Sequence, residues 1–523
     1  MSKPLKIDGV TEDPIIDLVL DTIKRKKQAI IFVNTKRSAE SVAERIALKL
    51  KTATQEVLSE QVLKALSSPT RQCKRLSYCV SRGVAFHHSG LASKQRSLVE
   101  NSFRNGEIRI IAATPTLAMG IDLPAFRTII RDLKRYGGSW GMSWIPVLEY
   151  HQQAGRAGRP KFDKYGESIC LAKSESEKEE IVEKFLLGDP EPIYSKLAVE
   201  PILRTHVLSL IASGFVNTKK ELLEFFEQTF YGFQYKDIDE LDKILSKIIR
   251  LLEEWGFVES ITIDNDFVAA NQINEFKIMP TQIGIRVSQL YLDPYTADYI
   301  ITSLKRAMQK QLIEFSFLSM ITNTLELRPL FSARAKEIAD IQEKLAEYDS
   351  NLIVLEPTIY DPAYDNYMSA IKTAIVFEEW MEEKGEDFLY EKYGVTPGEL
   401  RVKLALADWL LYATEELASL SEQKEQIKYI RKTRYRLMHG VKEELLPLTK
   451  LRGIGRVRAR RLFRNKIRDL GDIRKADIAL LSQIVGKETA LKIKEHVGEK
   501  IEKILDGRRK GQLNLRRYKK KIK

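Results

Sequence analysis

Three cysteines in 523 residues (Cys73, Cys79 and Cys170) are too few for a disulfide framework, and no CxxC pair spaces them for zinc. A reducing, cytoplasmic setting is the expectation, with no metal held by this chain. No run of 18 apolar residues occurs, so no transmembrane helix and no membrane partner are expected. Met1-Ser2-Lys3-Pro4-Leu5-Lys6 lacks the apolar stretch of a secretory signal. Glycine (27) and proline (17) are ordinary, and 44% hydrophobic residues exclude a wholly disordered or collagen-like chain. At about 150 residues per domain, the length suggests three or four domains, each with its own core.

Charge is what the chain has in excess, and its position is informative. The net charge is +13, from 85 Lys and Arg against 72 Asp and Glu. Residues 449–468 carry nine basic side chains and no acid, and residues 507–523 carry nine more and no acid. The basic character is therefore C-terminal, which suits a polyphosphate partner such as nucleic acid.

Four segments follow from the pattern. Residues 1–190 read as α/β: the apolar run Ala29–Val33, the helical pattern Ser38 to Leu50, then Val84–Phe86, a helix from about Ser93 to Asn105, and Ile108–Ala113. Strands alternating with helices predict a parallel, doubly wound sheet, with residues 34–36, 87–90 and 114–122 lining its carboxyl edge. In residues 191–300, helices at Ile202–Ser213 and Ile238–Trp255 flank a capping box, Thr218-Lys219-Lys220-Glu221. Extended pieces at 257–262 and 275–279 then suggest a winged helix, which either reads duplex DNA or serves as a spacer.

Residues 301–445 read as helical throughout. Thr396-Pro397-Gly398-Glu399 opens a helix running to about Leu420, with positions 400, 404, 407, 410, 411 and 414 taken as one apolar stripe. Arg401 and Trp409 lie roughly 80° apart around it, though spacing alone favours Trp409 as core. Residues 446–523 open on Leu451-Arg452-Gly453-Ile454-Gly455-Arg456-Val457-Arg458, a helix-hairpin-helix type of turn. Gly453 and Gly455 let backbone N–H groups approach a phosphate, with Arg456 and Arg458 beside them.

Three strings carry chemistry. In His151-Gln152-Gln153-Ala154-Gly155-Arg156-Ala157-Gly158-Arg159-Pro160, Arg156 and Arg159 are three apart among small residues. That pattern presents two guanidiniums to a polyphosphate, as arginine fingers do for a γ-phosphate. In Ala113 to Pro124, Thr114 closes a strand where its hydroxyl can meet a nucleic-acid phosphate; Gly120 permits an unusual backbone, and Asp122 can accept from a ribose or an arginine. Phe86-His87-His88-Ser89-Gly90 ends another strand, and its adjacent histidines point to opposite sides, which makes them poor joint metal ligands.

Together, Ile31-Phe32-Val33-Asn34, the His-His-Ser-Gly string, Thr114 to Pro124 and Gln152 to Pro160 resemble motifs IV, IVa, V and VI of a superfamily 2 helicase, in order and spacing. The downstream layout resembles the archaeal Hjm-type DNA helicases, relatives of the helicase part of polymerase theta. The resemblance runs from that family's second RecA-like domain to its C-terminus. It implies a RecA-like domain, a winged helix, an all-α ratchet bundle and a small helix-hairpin-helix domain. It also implies ATP-driven 3′ to 5′ translocation on single-stranded DNA at forks. Gln152, Arg156 and Arg159 would face ATP, Gly120 and Asp122 would sit near nucleotide, and Thr114 would hold the DNA backbone. The stretch Thr128 to Glu149 matches the family's strand-separating hairpin, with Tyr136, Trp140 and Trp144 near its tip. The helix holding Arg401 and Trp409 matches its ratchet helix. The string around Arg156 departs from the family at Gln153 and Lys161, where Met and Gly are expected.

The larger departure is that neither GxxxxGK[ST] nor a DExH box is present; the one Gly-Lys pair, Gly486-Lys487, is followed by Glu488. The expectation is the C-terminal portion of a DNA helicase, inactive as an ATPase by itself. ATP and Mg²⁺ would be held mainly by a first RecA-like domain or subunit, with single-stranded and forked DNA as partners. A rival is an ATP-independent DNA-binding protein with relic motor motifs; a weaker one is an RNA helicase of the same superfamily.

Overall fold

Four short, fully buried and mostly apolar runs set the centre of the fold. Ala29–Phe32 (β1), Val84–His87 (β2) and Ile110–Ala113 (β3) are buried at every position, as is Arg127–Ile130 (β4). Continuous burial is what a strand covered on both faces by helices requires. Lys134–Tyr136 (β5) and Met142–Trp144 (β6) form a separate antiparallel ribbon, and Glu167–Cys170 (β7) returns to the main sheet. The order is β2-β3-β1-β4-β7, with every pairing parallel. The computed structural model describes residues 7, 9–50, 55–66, 69–136, 141–158, 163–262 and 276–499.

The helices that cover the sheet stand close to where the sequence puts them: Lys36–Lys49 and Ser93–Arg104. Arg127, on β4, is a charged residue at the heart of this layer, 1% exposed. Its guanidinium is fully used, by Glu167 (2.7 Å), Asp21 (2.8 Å), Thr22 Oγ1 (2.8 Å) and the Leu18 carbonyl (2.8 Å). A buried arginine persists when its fork is paired in this way.

The chain divides into two compact units. The first takes in the chain up to Thr302 together with Thr324–Phe331 and Gly385–Ala407; the second takes in Ser303–Asn323, Ser332–Lys384 and the chain from Asp408 on. Within the first unit, helices Glu200–Ala212, Lys219–Glu227 and Ile238–Glu254 precede an antiparallel pair, Val258–Thr262 (β8) and Phe276–Pro280 (β9). The expected capping box forms: Thr218 accepts from Glu221 N, and Glu221 accepts from Thr218 N.

The expectation of unbroken helix over 301–445 is corrected. Residues 323–334 and 352–363 are non-helical, between Glu314–Thr322, Ile338–Tyr348 and Tyr364–Met381. In the stripe of helix Pro397–Leu420, position 414 is a threonine. It is buried because its hydroxyl donates to the Leu410 carbonyl one turn back (2.8 Å).

In the second unit, Arg456–Arg464, Leu470–Lys475, Ile478–Val485 and Lys487–His496 pack around a core of their own, including Leu451, Leu462, Ile473 and Leu481.

Candidate functional site

The helix Val147–Ala154 has no cap of its own: Pro146 precedes it, and no side chain of its cap residue bonds to it. Glu191 supplies the cap from 44 residues away, accepting from Val147 N (2.7 Å) and Leu148 N (3.2 Å). The bond from the Val147 N–H, against a small cost of burial, holds the Glu191 carboxyl below its usual range. After Ala154 the chain turns through Gly155 into an extended segment that pairs with Ala125, just ahead of β4. Ala125 N donates to the Arg156 carbonyl (2.9 Å), and Gly158 N donates to the Ala125 carbonyl (2.6 Å).

Arg156 is half-buried, and its Nε donates to the Ala118 carbonyl (3.2 Å) with Nη2 on the same oxygen. No carboxylate pairs with it among the described residues, so its charge is oriented without being neutralised. Gly158 is in the left-handed region at φ 92°, and Gly166 crosses directly behind it. A Cβ on Gly166 would fall inside contact distance of Gly158 N and the Ala157 carbonyl carbon, so only glycine permits this crossing. Asp163 binds Lys27 at 2.5 Å and fastens the returning strand. Gln152 is half-buried on the same helix; Arg159 lies outside the described residues.

Residues 114–122 do not line one edge, which corrects the expectation. Thr114 is at the carboxyl edge: its N–H donates to the His87 carbonyl (3.2 Å), and its hydroxyl meets that of Thr116 (2.9 Å). The chain then descends. The Asp122 carbonyl accepts from Arg104 (3.4 Å) at the end of helix Ser93–Arg104. That end stands at the amino edge, because Gln28, next to the first residue of β1, donates to the Phe103 carbonyl (2.6 Å). Ala118, Gly120 and Asp122 therefore accompany Arg156, while Thr114 stands with the loops after β1 and β2. Gly120 takes φ 73°, and a Cβ there would meet nothing within 4 Å. The Asp122 side chain is exposed.

The ribbon divides the three aromatics. Tyr136, 74% exposed, pairs with Met142 at the outer end. Trp144 pairs with Lys134 at the base, not near the tip. There it packs edge-on against Phe185 (5.6 Å), with the Lys134 ammonium 3.9 Å from its ring centre. Trp140 is outside the described residues.

In the ratchet candidates, Arg401 is half-exposed and 3.3 Å from Glu386, and Trp409 is half-buried. In the second unit Gly453 takes φ 87°, and a Cβ on Gly455 would meet nothing within 4 Å, so that turn is open on its outer side. Arg456 is committed to protein: its guanidinium lies 4.2 Å from the Trp380 ring centre and donates to the Lys384 carbonyl (3.0 Å). Arg458 closes the turn on the Gly453 carbonyl (2.8 Å). Arg452, Arg458, Arg461 and Arg464 are exposed, and of these the sequence reading takes Arg452, Arg461 and Arg464 only as part of the surrounding arginine cluster. It also passed over a second hairpin turn, Gly486 at φ 90° ahead of helix Lys487–His496. Its signal was a Gly-Lys pair between two helical patterns.

Four family models match in succession: a helicase conserved C-terminal domain over residues 12–161, a helix-turn-helix domain over 166–259, domain 4 of archaeal helicases over 315–440, and a SAM-like tandem of helix-hairpin-helix units over 445–499. The ATP-dependent DNA helicase Hel308 of Pyrococcus horikoshii is 37% identical over 97% of this chain and 69% of its own length. That of Methanococcus vannielii is 35% identical over 94% and 69%. The chain belongs to the Hel308 family of DNA helicases. The Hel308 of Methanocella arvoryzae is 34% identical over 95% of the chain and 66% of its own length. The chain thus spans about two thirds of the length of these Hel308 relatives. Within Hel308 terms the parallel sheet is RecA-like, and the second unit ends in a helix-hairpin-helix domain. No helix among the described residues is long and apolar enough to cross a membrane.

Proposed function

We propose that this chain is the finger-bearing part of an ATP-dependent DNA motor that moves 3′ to 5′ along single-stranded DNA and opens forked duplexes. We assign residues 1–190 to the second RecA-like domain with its hairpin, 191–300 to a winged helix, 301–445 to the ratchet bundle and 446–523 to the helix-hairpin-helix domain. Arg156 carries the reading. Its guanidinium is aimed by a backbone carbonyl and lacks a carboxylate partner among the described residues. It keeps N–H donors for an anion, which is what a γ-phosphate contact demands.

The residues present fit a nucleotide approached from one side. Arg156 and Arg159 would neutralise charge spreading over the transferred phosphoryl group, with Gln152, Gly120 and Asp122 along the same border. ATP supplies the phosphoanhydride whose cleavage drives the motor. The loop that cradles its phosphates and the acid that holds Mg²⁺ are not encoded in this sequence, so a first RecA-like domain must present them. Thr114 and Arg401 hold the DNA strand, Trp409 lies along it, and Tyr136 meets the last base pair. Gly453 and Gly455, with Arg458 and the other exposed arginines, grip the strand beyond, while Arg456 braces the turn against Trp380.

The test is ATP hydrolysis by the chain mixed with a first RecA-like domain containing GxxxxGK[ST] and DExH, with and without single-stranded DNA. DNA-stimulated turnover that vanishes in R156A supports the motor. Fork binding with no turnover in the mixture, unchanged in R156A, points to the ATP-independent binding protein. Tighter binding to RNA than to DNA of equal sequence points to the RNA helicase.

A further inference from the structure

The carboxyl edge of an open parallel sheet is ordinarily where ligands bind. Here the loops after β1 and β2 grip the start of a helix belonging to the same chain. Gly398 N donates to the Gly90 carbonyl (3.0 Å). That N–H is one of the orphan donors in the first turn of helix Pro397–Leu420, and the helix spends it on the loop rather than on a cap. The approach is as close as backbone allows. A Cβ on Gly398 would lie 2.5 Å from the Leu91 carbonyl oxygen and inside contact with that of Ser89; one on Gly90 would lie 2.8 Å from Thr396 Oγ1. Lys36, at the start of the helix after β1, pairs with Glu399. Glu399 also accepts from Thr396 N (3.2 Å) and Thr396 Oγ1 (2.5 Å). Burial alone would raise the Glu399 carboxyl, but Lys36 and Thr396 outweigh it and hold it below its usual range.

Beneath the joint the loop is fixed by its histidines. His87 Nε2 is 2.9 Å from Glu100, and His88 Nδ1 accepts from Gly90 N (3.1 Å). The same loop is bonded to Thr114 through the His87 carbonyl. Arg401 stands one turn along the helix from Gly398. Thr114 and Arg401, the two strand contacts proposed for this part of the chain, are thus tied to opposite ends of one short stretch, His87 to Gly90.

We propose that Gly90, Gly398 and the Lys36–Glu399 pair are positioning residues that fix Arg401 in register with Thr114, so that a single DNA strand meets both at a set spacing. This rests on the strand-binding reading above. An uncoupled helix start would let Arg401 drift relative to the sheet, and the strand would lose one contact for each position of the other.

The test is binding of the full chain to a fluorescent oligothymidylate, followed by anisotropy, with the melting temperature of each variant measured beside it. K36E is expected to weaken binding about tenfold, the scale of one lost charged hydrogen bond. The swapped pair K36E/E399K is expected to restore it. In an R401A background K36E should cost nothing further, because coupled residues are non-additive. G398A, where it folds, should behave as K36E does. A wild-type chain that binds, weakened by R401A but unchanged by K36E, overturns the joint and leaves the strand-binding reading standing. Full additivity of K36E with R401A, or no recovery in the swapped pair, also overturns it. A wild-type chain that does not bind the oligonucleotide defeats the strand-binding reading, and the joint with it.

Discussion

The guanidinium of Arg156 rests on the carbonyl oxygen of Ala118, 38 residues earlier in the chain. Ala118 stands between Thr114 and Gly120, so the string that carries the arginine is laid directly on the string that carries the glycine. A carbonyl orients a guanidinium without cancelling its charge, which a carboxylate would do.

The aim of Arg156 depends on a residue outside both strings. Gly166→Ala places a methyl group against Gly158 N, where backbone cannot yield. The expected cost is about 1–3 kcal/mol of stability in a denaturant titration. The finger function proposed for Arg156 should fail in G166A even at temperatures where the variant is folded.

Tyr136 and Trp144 should separate cleanly. Y136A is expected to keep wild-type stability to within about 0.5 kcal/mol, because the ring is 74% exposed. Its proposed effect is slower opening of a forked duplex. W144A removes the ring packed on Phe185 and should cost about 3 kcal/mol in thermal or denaturant unfolding.

The burial of His88 gives the fold a pH dependence whose sign follows from desolvation. It is fully buried against Phe86, with Nε2 3.3 Å from Glu40. Burial lowers its pKa from the ordinary 6.5, and the neighbouring Glu40 only partly opposes this. The unfolded chain therefore takes up a proton near pH 6.5 while the native His88 does not, so protons favour unfolding. Its stabilisation is complete above pH 6.5 and is lost as pH falls toward the lower native value, with a slope of at most about 1.4 kcal/mol per pH unit. His439, also lowered by burial, acts in the same direction. Unfolding free energies measured at descending pH should show this slope, and H88N should flatten it in part.

The arginines left exposed in the helix-hairpin-helix domain should act through phosphates. Replacing Arg461 and Arg464 with alanine is expected to reduce the slope of log K against log salt by about 0.7 for each phosphate contact on single-stranded DNA. R456A should instead lower the melting temperature, since its guanidinium packs on Trp380.

Much of this was legible in the residues. The runs at β1, β2 and β3 announce buried parallel strands, the Thr218 box forms as written, and the helix opened by Thr396-Pro397 begins at Pro397. The strings around Thr114 and Arg156 carry enough type and spacing to point to the family. What stayed hidden depends on residues far apart in the chain. Nothing local says that Glu191 caps the helix at Val147, that Gly166 crosses behind Gly158, or that Gly398 docks on Gly90. Trp144 was misplaced because a strand pattern gives alternation but not the register that sets base and tip. Asp122 was assigned to the wrong edge because the loop 114–126 is long enough to cross the sheet, and its composition does not say so.

The measurement that bears most directly on the motor is ATP turnover by the chain combined with a first RecA-like domain on single-stranded DNA, comparing wild type with R156A. Turnover in the wild-type mixture, absent from the chain alone and reduced about a thousandfold or more in R156A, is the expected result. Hydrolysis by the chain alone, or a mixture in which R156A is as fast as wild type, would contradict it.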